Sequence, residues 1–456
     1  MRRISVTILL LLQTVCYAQV APWESDATPL HRAQKALTDV IVHDIFSPPV
    51  ASRIYAYTNI AAYEIFARQN AGYASLHNHI ESFPGIPPPS GNISFSLAAL
   101  NAFLITGKSL VFSEAQLQDS TNQILTWYSQ KKISKQRYEA SLEYGRQVAA
   151  AILQWAAKDR YKETRSLRRY NYLKKEGKWM PTPPVYMAAI EPYWNKIRPM
   201  ILDSCNQFCP DVPPAFSTNK DSLFYQQALE VYNTTIDLSA ENKAIASFWD
   251  CNPFAVNTEG HLNFATKKIS PGGHWMSIAG IACKETNADI NKAAAAYTFT
   301  AIALFDAFII CWDEKYRSNV IRPETYINKY IDESWRPLLQ TPPFPEYPSG
   351  HSVVSTAAAN VLSNIFGNQL AFDDDTEVEF GLPIKHFDSF IAAAKEAAAS
   401  RLFGGIHYRA AIENGQQQGD EFAKWLVRKL GLLHFGETGN AINNQPVSGS
   451  GKRTND

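Results

Sequence analysis

Apolar residues recur at every third or fourth position along most of this chain, which is the spacing of one buried face of an α-helix. Alternation of the kind that marks β-strands is too short and too rare to propose a sheet. The pattern therefore predicts an all-α fold built of helical bundles. In the first third of the sequence it predicts helices over Leu30–Phe46, Ala51–Gln69, Phe95–Phe112, Glu114–Lys132 and Lys135–Lys158.

One apolar stretch, Ala293–Trp312, is long enough to cross a bilayer. Asp306 lies near its middle, where an ionisable side chain is unfavourable in lipid. The sequence shows no companion spans of similar character. We therefore predict that this stretch is a helix in the protein core, and that the mature protein has no integral membrane span.

Changes in composition divide the chain into four parts. Residues 1–18 resemble a signal peptide, with basic residues at the start, an apolar middle and Ala18 before the expected cleavage. Residues 19–240 are predicted to form an N-terminal helical region, and residues 241–435 a catalytic helical domain. Residues 436–456 are polar and rich in glycine, serine and asparagine, as flexible tails are. The protein is therefore expected to be exported, to the periplasm or outside the cell.

Charge is balanced, with 43 basic and 43 acidic residues, and 46% of the residues are hydrophobic. This composition is typical of a packed globular protein. No segment carries a basic stripe, so a nucleic-acid partner is not expected. Any cluster of cations has to be local.

Three short motifs in the C-terminal half contain such a cluster. Ser349 can cap the helical run that follows it, and Gly350 allows a ligand close to the free N–H groups of the first turn. A helix N-terminus of this kind favours an anion. His351 is the next residue.

The other two motifs add positive charge. Lys315 and Arg322 are followed by Pro323, which disfavours helical geometry at Arg322 and predicts that Arg322 turns out of its helix. Arg401 precedes His407 by six residues, with Gly404-Gly405 between them. A break at the two glycines would let both side chains point to one place.

In order and spacing, the three motifs resemble the signature of the phosphatidic-acid phosphatase type 2 and vanadium-dependent haloperoxidase superfamily, in particular its bacterial haloperoxidases. The resemblance implies that vanadate or phosphate oxygens are bound by Lys315, Arg322, Ser349, Gly350 and Arg401. It implies that His407 bonds the central atom, as vanadium ligand or as phosphorylated nucleophile. It also implies catalytic roles for His351, as the acid–base group, and for Lys315, which would polarise the peroxide substrate.

Two aromatic residues resemble the lining of a halide pocket. They are Phe344, which leads into the middle motif, and Trp312, three residues before Lys315. Two further segments could line the same channel, residues 250–253 and 272–275. We expect His274 to be a loop residue without a catalytic role. Family members commonly carry an aspartate four residues after the last histidine, to orient it. Ala411 stands there in this chain. Either another group orients His407, with Glu413 and a backbone carbonyl as candidates, or His407 is less basic than usual.

The resemblance implies a vanadate-dependent haloperoxidase that oxidises iodide or bromide, rather than chloride, with hydrogen peroxide. Together with the N-terminal segment, it predicts an exported enzyme. Because phosphate and vanadate have nearly the same shape and charge, the alternative is an acid phosphatase. It would hydrolyse phosphate monoesters through a phosphohistidine and would need no metal. The long helical N-terminal region and the two aromatic residues favour the haloperoxidase. The oligomeric state is left open.

Overall fold

A computed structural model describes residues 21–432 except 71, 81, 260, 261 and 266. The helices are α1 (Pro22–Ser25), α2 (Thr28–His43), α3 (Pro48–Gln69), α4 (Phe95–Leu110), α5 (Glu114–Ser129), α6 (Lys135–Ala156), α7 (Tyr161–Arg165), α8 (Leu223–Ile236), α9 (Ala240–Phe248), α10 (Pro271–Glu285), α11 (Ile290–Ser318), α12 (Pro323–Tyr330), α13 (Gly350–Phe366), α14 (Phe390–Phe403) and α15 (Arg409–Lys429). Short 3₁₀ turns lie at Leu76–Asn78, Trp194–Lys196 and Val378–Phe380.

Within the described residues, strands form only two small antiparallel hairpins. Strand β1 (Val256–Glu259) pairs with β2 (Leu262–Ala265), with Val256 opposite Ala265. Strand β3 (Phe372–Asp374) pairs with β4 (Lys385–Phe387), with Phe372 opposite Phe387. The all-α prediction is therefore confirmed.

The five helices predicted in the first third are present, and their ends lie within a few residues of the expected positions. Local capping explains where two of them begin. Ser94 and Ser134 accept the backbone N–H groups of Leu97 and Arg137, which satisfies a donor that the first helical turn leaves free.

Helix α11 runs through the centre of the protein and delivers Lys315 to the site. It is the one helix in the described part of the chain that is long and apolar enough to cross a membrane. The whole of its most apolar stretch is buried inside the protein. The prediction of a core helix is therefore confirmed.

The main hydrophobic core draws residues from α2, α3, α4 and α6 as well as from α10, α11, α13 and α15. It thus joins segments on both sides of residue 240, and the boundary placed there stays a prediction. The proposed signal peptide and the whole of the proposed tail lie outside the described residues. Five cysteines lie within them, and all five are free thiols.

Asp306 anchors the connecting segment before α8 to the middle of α11. Its carboxylate is fully buried and accepts the backbone N–H groups of Met200, Ile201 and Leu202 at 2.8, 2.8 and 3.1 Å. Burial raises the pKa of Asp306 to about 6, although the three donors favour the ionised form. The charge expected to be unfavourable in a membrane is therefore satisfied by backbone donors.

Replacing Asp306 with alanine should lower the free energy of unfolding by about 1–3 kcal/mol, because three buried N–H groups lose their acceptor. Urea denaturation at about pH 8, where the carboxylate is ionised, measures this. Thr300→Val is the matched control, since Thr300 lies on the same helix, is fully buried, and has a hydroxyl with no partner. We expect it to be neutral or stabilising. Equal effects of the two substitutions would contradict the anchoring role of Asp306.

Candidate active site

The N-terminus of α13 opens onto a cavity. Ser349 is its N-cap, as predicted, and its side chain accepts the Ser352 N–H at 3.3 Å. Gly350 lines the cavity. A Cβ on Gly350 would lie 3.6 Å from Trp312, which is an ordinary contact, so glycine does not avoid a clash here. Its missing side chain instead leaves the first-turn N–H groups open to a ligand.

Arg322 leaves α11 as its proline neighbour predicted. The helix ends at Ser318, Asn319 takes a left-handed conformation at φ 53°, and Pro323 starts α12. The buried Arg322 guanidinium donates from Nε to the Phe344 carbonyl at 2.9 Å, and its Nη2 has no partner. Burial lowers the pKa of Arg322 to about 10, so the group remains a cation at neutral pH.

The break at Gly404-Gly405 lets Arg401 and His407 line one cavity, as predicted. Helix α14 ends at Phe403, and Gly405 has φ +75°, which favours glycine. A Cβ on Gly404 would lie 2.7 Å from the Leu339 side chain, so a larger residue there would require Leu339 to shift. Arg401 is buried and donates from Nη1 to the Trp249 carbonyl at 2.7 Å, while its Nε has no partner.

His407 is held by a carboxylate that the sequence did not reveal. Its Nδ1 lies 2.8 Å from Oε1 of Glu346, and the same oxygen accepts the Tyr408 N–H at 3.0 Å. Nε2 lies 3.2 Å from Nη1 of Arg322. Burial lowers the pKa of His407 well below its ordinary value, and the charges of Arg322 and Lys315 lower it further. The ring is therefore neutral, with the proton on Nδ1 and a lone pair on Nε2.

The expectation that Glu413 orients His407 is wrong. Glu413 is exposed on α15 and lies 3.7 Å from Arg409. Glu346 takes the role instead, and burial raises its pKa to about 7, opposed by Arg322 and Lys315. The sequence held one indication of this role: Glu346 is an acidic residue inside the apolar run that leads into the middle motif.

His351 lies in the first turn of α13 and lines the cavity together with Arg401 and His407. Its ring hydrogen-bonds to the Trp249 carbonyl, which also accepts from Arg401, and its Nε2 has no partner. Burial lowers the pKa of His351 well below its ordinary value, and the charge of Arg401 adds to this. A neutral ring at this place can accept a proton.

Lys315 lies beside the site, and its N–H donors are already hydrogen-bonded to backbone carbonyls. Its ammonium donates to the carbonyls of Pro345 and Glu346, both at 3.1 Å, and to that of Pro348. Burial lowers the pKa of Lys315 to about 7. The structure thus places Lys315 next to Gly350, but directs its donors at the loop before α13 rather than into the cavity.

The two predicted aromatic residues line this cavity. The ring centroids of Trp312 and Phe344 are 5.0 Å apart. Phe308, which sequence reasoning did not single out, packs on Trp312 at 5.2 Å and lines the same wall. Its only signal was its place one helical turn before Trp312.

The two further segments that could line the channel are placed differently. Cys251, Asn252 and Pro253 line the cavity. His274 does not, and its assignment to a loop is wrong, because it lies in the first turns of α10 and is fully buried.

Positive charge exceeds negative charge around the cavity. Lys315, Arg322 and Arg401 are all buried. Glu346 interacts with Lys315 and Arg322, and Asp250 interacts with Arg401, so two acidic groups face three basic ones. Such an excess is unfavourable unless a partner balances it, and two of the arginines' nitrogens have no protein partner. The site therefore belongs to the class that binds an anion, with a neutral histidine facing it.

Comparison with known proteins identifies the family. Residues 295–434 match the sequence model of the VCPO second helical-bundle domain. The crystal structure of a bacterial vanadium-dependent iodoperoxidase is 49% identical, with a TM-score of 0.84 over 89% of this chain and 96% of that one. The chain belongs to the vanadium-dependent haloperoxidases, which are oxidoreductases.

Two more distant structures share the fold alone. They are the holo and apo forms of a bacterial vanadium-dependent chloroperoxidase, each 16% identical, with TM-scores of 0.64 and 0.63. The matches cover 86% of this chain and 94% and 95% of those chains. No curated protein sequence matches this chain significantly.

Family membership implies a vanadate cofactor, and the residues present fit it. The unpartnered nitrogens of Arg322, Arg401 and His351 are donors or acceptors for oxyanion oxygens, and the His407 Nε2 lone pair is a metal ligand. Nothing in the matched family or structures supports the phosphatase alternative.

Proposed function

We propose that this protein oxidises iodide in preference to bromide and chloride, using vanadate and hydrogen peroxide, and that it acts outside the cytoplasm. The observation that carries the proposal is His407, whose Nδ1–H is fixed by Glu346 so that Nε2 faces a buried cationic cavity. The similarity to an iodoperoxidase supports the choice of halide.

Each residue has a role that follows from its position. His407 would supply the single protein ligand to vanadium, and Arg322, Arg401, Ser349 and the Gly350 N–H would hold the oxygens. Vanadate, when bound, acts as a Lewis acid that makes peroxide electrophilic without changing the oxidation state of vanadium. His351 would take and return the peroxide proton, since its Nε2 is unpartnered and its ring is neutral.

The halide preference is argued from the cavity wall. Phe308, Trp312 and Phe344, together with four prolines, give the cavity a mainly apolar lining. A halide has to lose part of its water shell to enter, and burying a charge is least unfavourable for a large, weakly hydrated ion. Iodide is also the easiest of these halides to oxidise. The lower cost of dehydration and the easier oxidation both favour iodide.

The test is peroxide-dependent halide oxidation by purified protein, with and without added vanadate, beside phosphate-ester hydrolysis. We expect kcat/KM for iodide to exceed that for bromide at least about tenfold, equivalent to ~1.4 kcal/mol in the barrier. We also expect activity to require vanadate. Halide oxidation that does not depend on vanadate would overturn the proposal, and so would ester hydrolysis as the main activity. Equal rates with all three halides would overturn the halide preference alone.

Arg401→Ala should weaken vanadate binding more than Arg401→Lys, and both should bind more weakly than the unmodified protein. Alanine loses the charge and the planar fork, whereas lysine loses only the fork. Equilibrium titration of each protein with vanadate measures the order of the dissociation constants. Arg409→Ala is the control, because Arg409 is exposed and bonds to Glu230 away from the cavity. Equal affinity in all four proteins would refute the oxyanion assignment.

The proposed export depends on the first eighteen residues, where basic residues precede Ile4–Val15 and Ala18. The mass of the mature N-terminus after expression in a bacterium with its own secretion system tests this. Cleavage after Ala18 supports export, and an intact Met1 in a cytoplasmic fraction contradicts it.

A further inference from the structure

A second cluster of ligand-type side chains lies behind the anion site. Cys251 follows α9, His274 lies in α10, and Glu377 follows β3, so the three come from separate elements. All three are buried, at 3%, 0% and 4% exposure. No role in halide oxidation uses them, and nothing in the oxyanion chemistry explains why a thiol, an imidazole and a carboxylate meet here.

The three ligand atoms are spaced as around a small cation. Cys251 Sγ lies 3.5 Å from His274 Nδ1 and 4.0 Å from Glu377 Oε1, and Nδ1 lies 3.2 Å from the same Oε1. A point about 2.1 Å from all three atoms exists within this triangle, which approaches the usual Zn–N, Zn–O and Zn–S bond lengths. The atoms therefore need little movement to coordinate one ion.

The other side of His274 has the arrangement expected behind a metal ligand. Its Nε2 lies 2.8 Å from Asp374 Oδ2, and Asp374 is itself held by the Thr376 N–H at 3.0 Å. A carboxylate in this place fixes the proton on Nε2 and leaves Nδ1 as the donor of a lone pair. The imidazole also stacks on Trp249, with centroids 4.6 Å apart and planes at 20°.

The contacts fit an imidazolium between two carboxylates less well. Its Nδ1 proton would have to serve Glu377 at 3.2 Å while Cys251 Sγ lies on the same side at 3.5 Å. Charge-assisted N–H to carboxylate bonds are usually about 2.7–2.9 Å long. The Cys251 S–H can donate to Glu377 only across a long 4.0 Å, whereas one cation can be bound by all three groups.

We propose that Cys251, His274 and Glu377 bind one divalent cation of the zinc class, with water in the fourth position. Cys251 also lines the oxyanion cavity, and the neighbouring Trp249 carbonyl contacts both Arg401 and His351. The cation would thus fix the segment that positions these two residues. The site itself does not depend on the proposed halide chemistry.

The experiment uses the full-length protein with its affinity tag removed, in buffer without vanadate or peroxide. After chelator treatment, zinc is titrated back and counted per protein by mass spectrometry of the metal. We expect about one zinc per chain, and at least a roughly 100-fold loss of affinity in Cys251→Ser and Glu377→Gln. Asp374→Asn should lose about 10–100-fold. Cys283→Ser is the matched control, because Cys283 is an equally buried free cysteine on α10.

Cobalt in place of zinc gives a second readout that does not depend on activity. A thiolate-to-cobalt absorption band should appear in the unmodified protein and in Cys283→Ser, and be lost in Cys251→Ser. If a variant fails to fold, X-ray absorption of the unmodified zinc form decides, since one sulfur at about 2.3 Å is expected. No bound zinc, no sulfur neighbour, or an unchanged affinity in Cys251→Ser would each overturn the proposal.

Discussion

Replacing His407 with alanine should abolish productive vanadate binding, whereas replacing His351 with alanine should leave it nearly intact. His407 would supply the only protein bond to vanadium, and its removal leaves no imidazole that Glu346 orients. His351→Ala keeps Arg322, Arg401 and the α13 N-terminus, so its affinity should change by less than about threefold. Its turnover should fall about 10²–10⁴-fold, as is usual when a proton-transfer group is lost.

Vanadate titration of both variants, paired with iodide oxidation at saturating vanadate, separates the two roles. The expected pattern is no binding and no turnover for His407→Ala, and binding without turnover for His351→Ala. Loss of binding in His351→Ala together with full function in His407→Ala would reverse the assignment. Unchanged halide oxidation in both variants would place the chemistry elsewhere.

Substitution of Glu346 should have the next largest effect. Its Oε1 accepts both the His407 Nδ1–H and the Tyr408 N–H. Glu346→Gln can keep an oxygen acceptor there but loses the charge that makes the imidazole a stronger ligand. Glu346→Ala loses both. Partners behind a metal ligand typically contribute 10–100-fold in affinity, so we expect about tenfold for glutamine and about 100-fold for alanine.

Glu413→Gln is the control for this series, since Glu413 is the acidic residue nearest to His407 in sequence on its C-terminal side and its side chain is 61% exposed. It should bind vanadate as the unmodified protein does. Thermal unfolding of each variant separates a loss of ligand orientation from a loss of stability. If Glu413→Gln weakened binding and Glu346→Ala did not, the orienting role of Glu346 would be refuted.

The parts of the site that sequence predicted are those fixed by neighbours in the chain. Pro323 was enough to predict that Arg322 leaves its helix, and Ser349 was enough to predict the cap of α13. Gly404-Gly405 likewise predicted the break between Arg401 and His407. Each depends on steric or hydrogen-bonding effects within a few residues, and these effects operate in any fold.

The parts that sequence did not predict are contacts between distant segments. Glu346 and His407 are 61 residues apart, and His274 meets Asp374 across 100. No local rule places either pair together, and the position of Ala411 directed attention to the wrong side of His407. Lys315 was correctly placed beside Gly350, but its three carbonyl partners depend on how the loop before α13 folds over α11.

Those three Lys315 bonds bear on selectivity between oxyanions. A tetrahedral anion that hydrogen-bonds to the Lys315 ammonium has to displace carbonyl acceptors first. One set of hydrogen bonds replaces another, so the favourable free energy of anion binding is smaller than the charge alone suggests. The free-energy cost of displacing these carbonyls is the same for vanadate and phosphate, so it cancels when the two affinities are compared. If His407 binds vanadium as proposed, discrimination would come from the bond to its Nε2, because vanadium readily accepts a fifth ligand and phosphorus does so only in passing. On this proposal Lys315 would set how tightly oxyanions bind, and His407 would set which one.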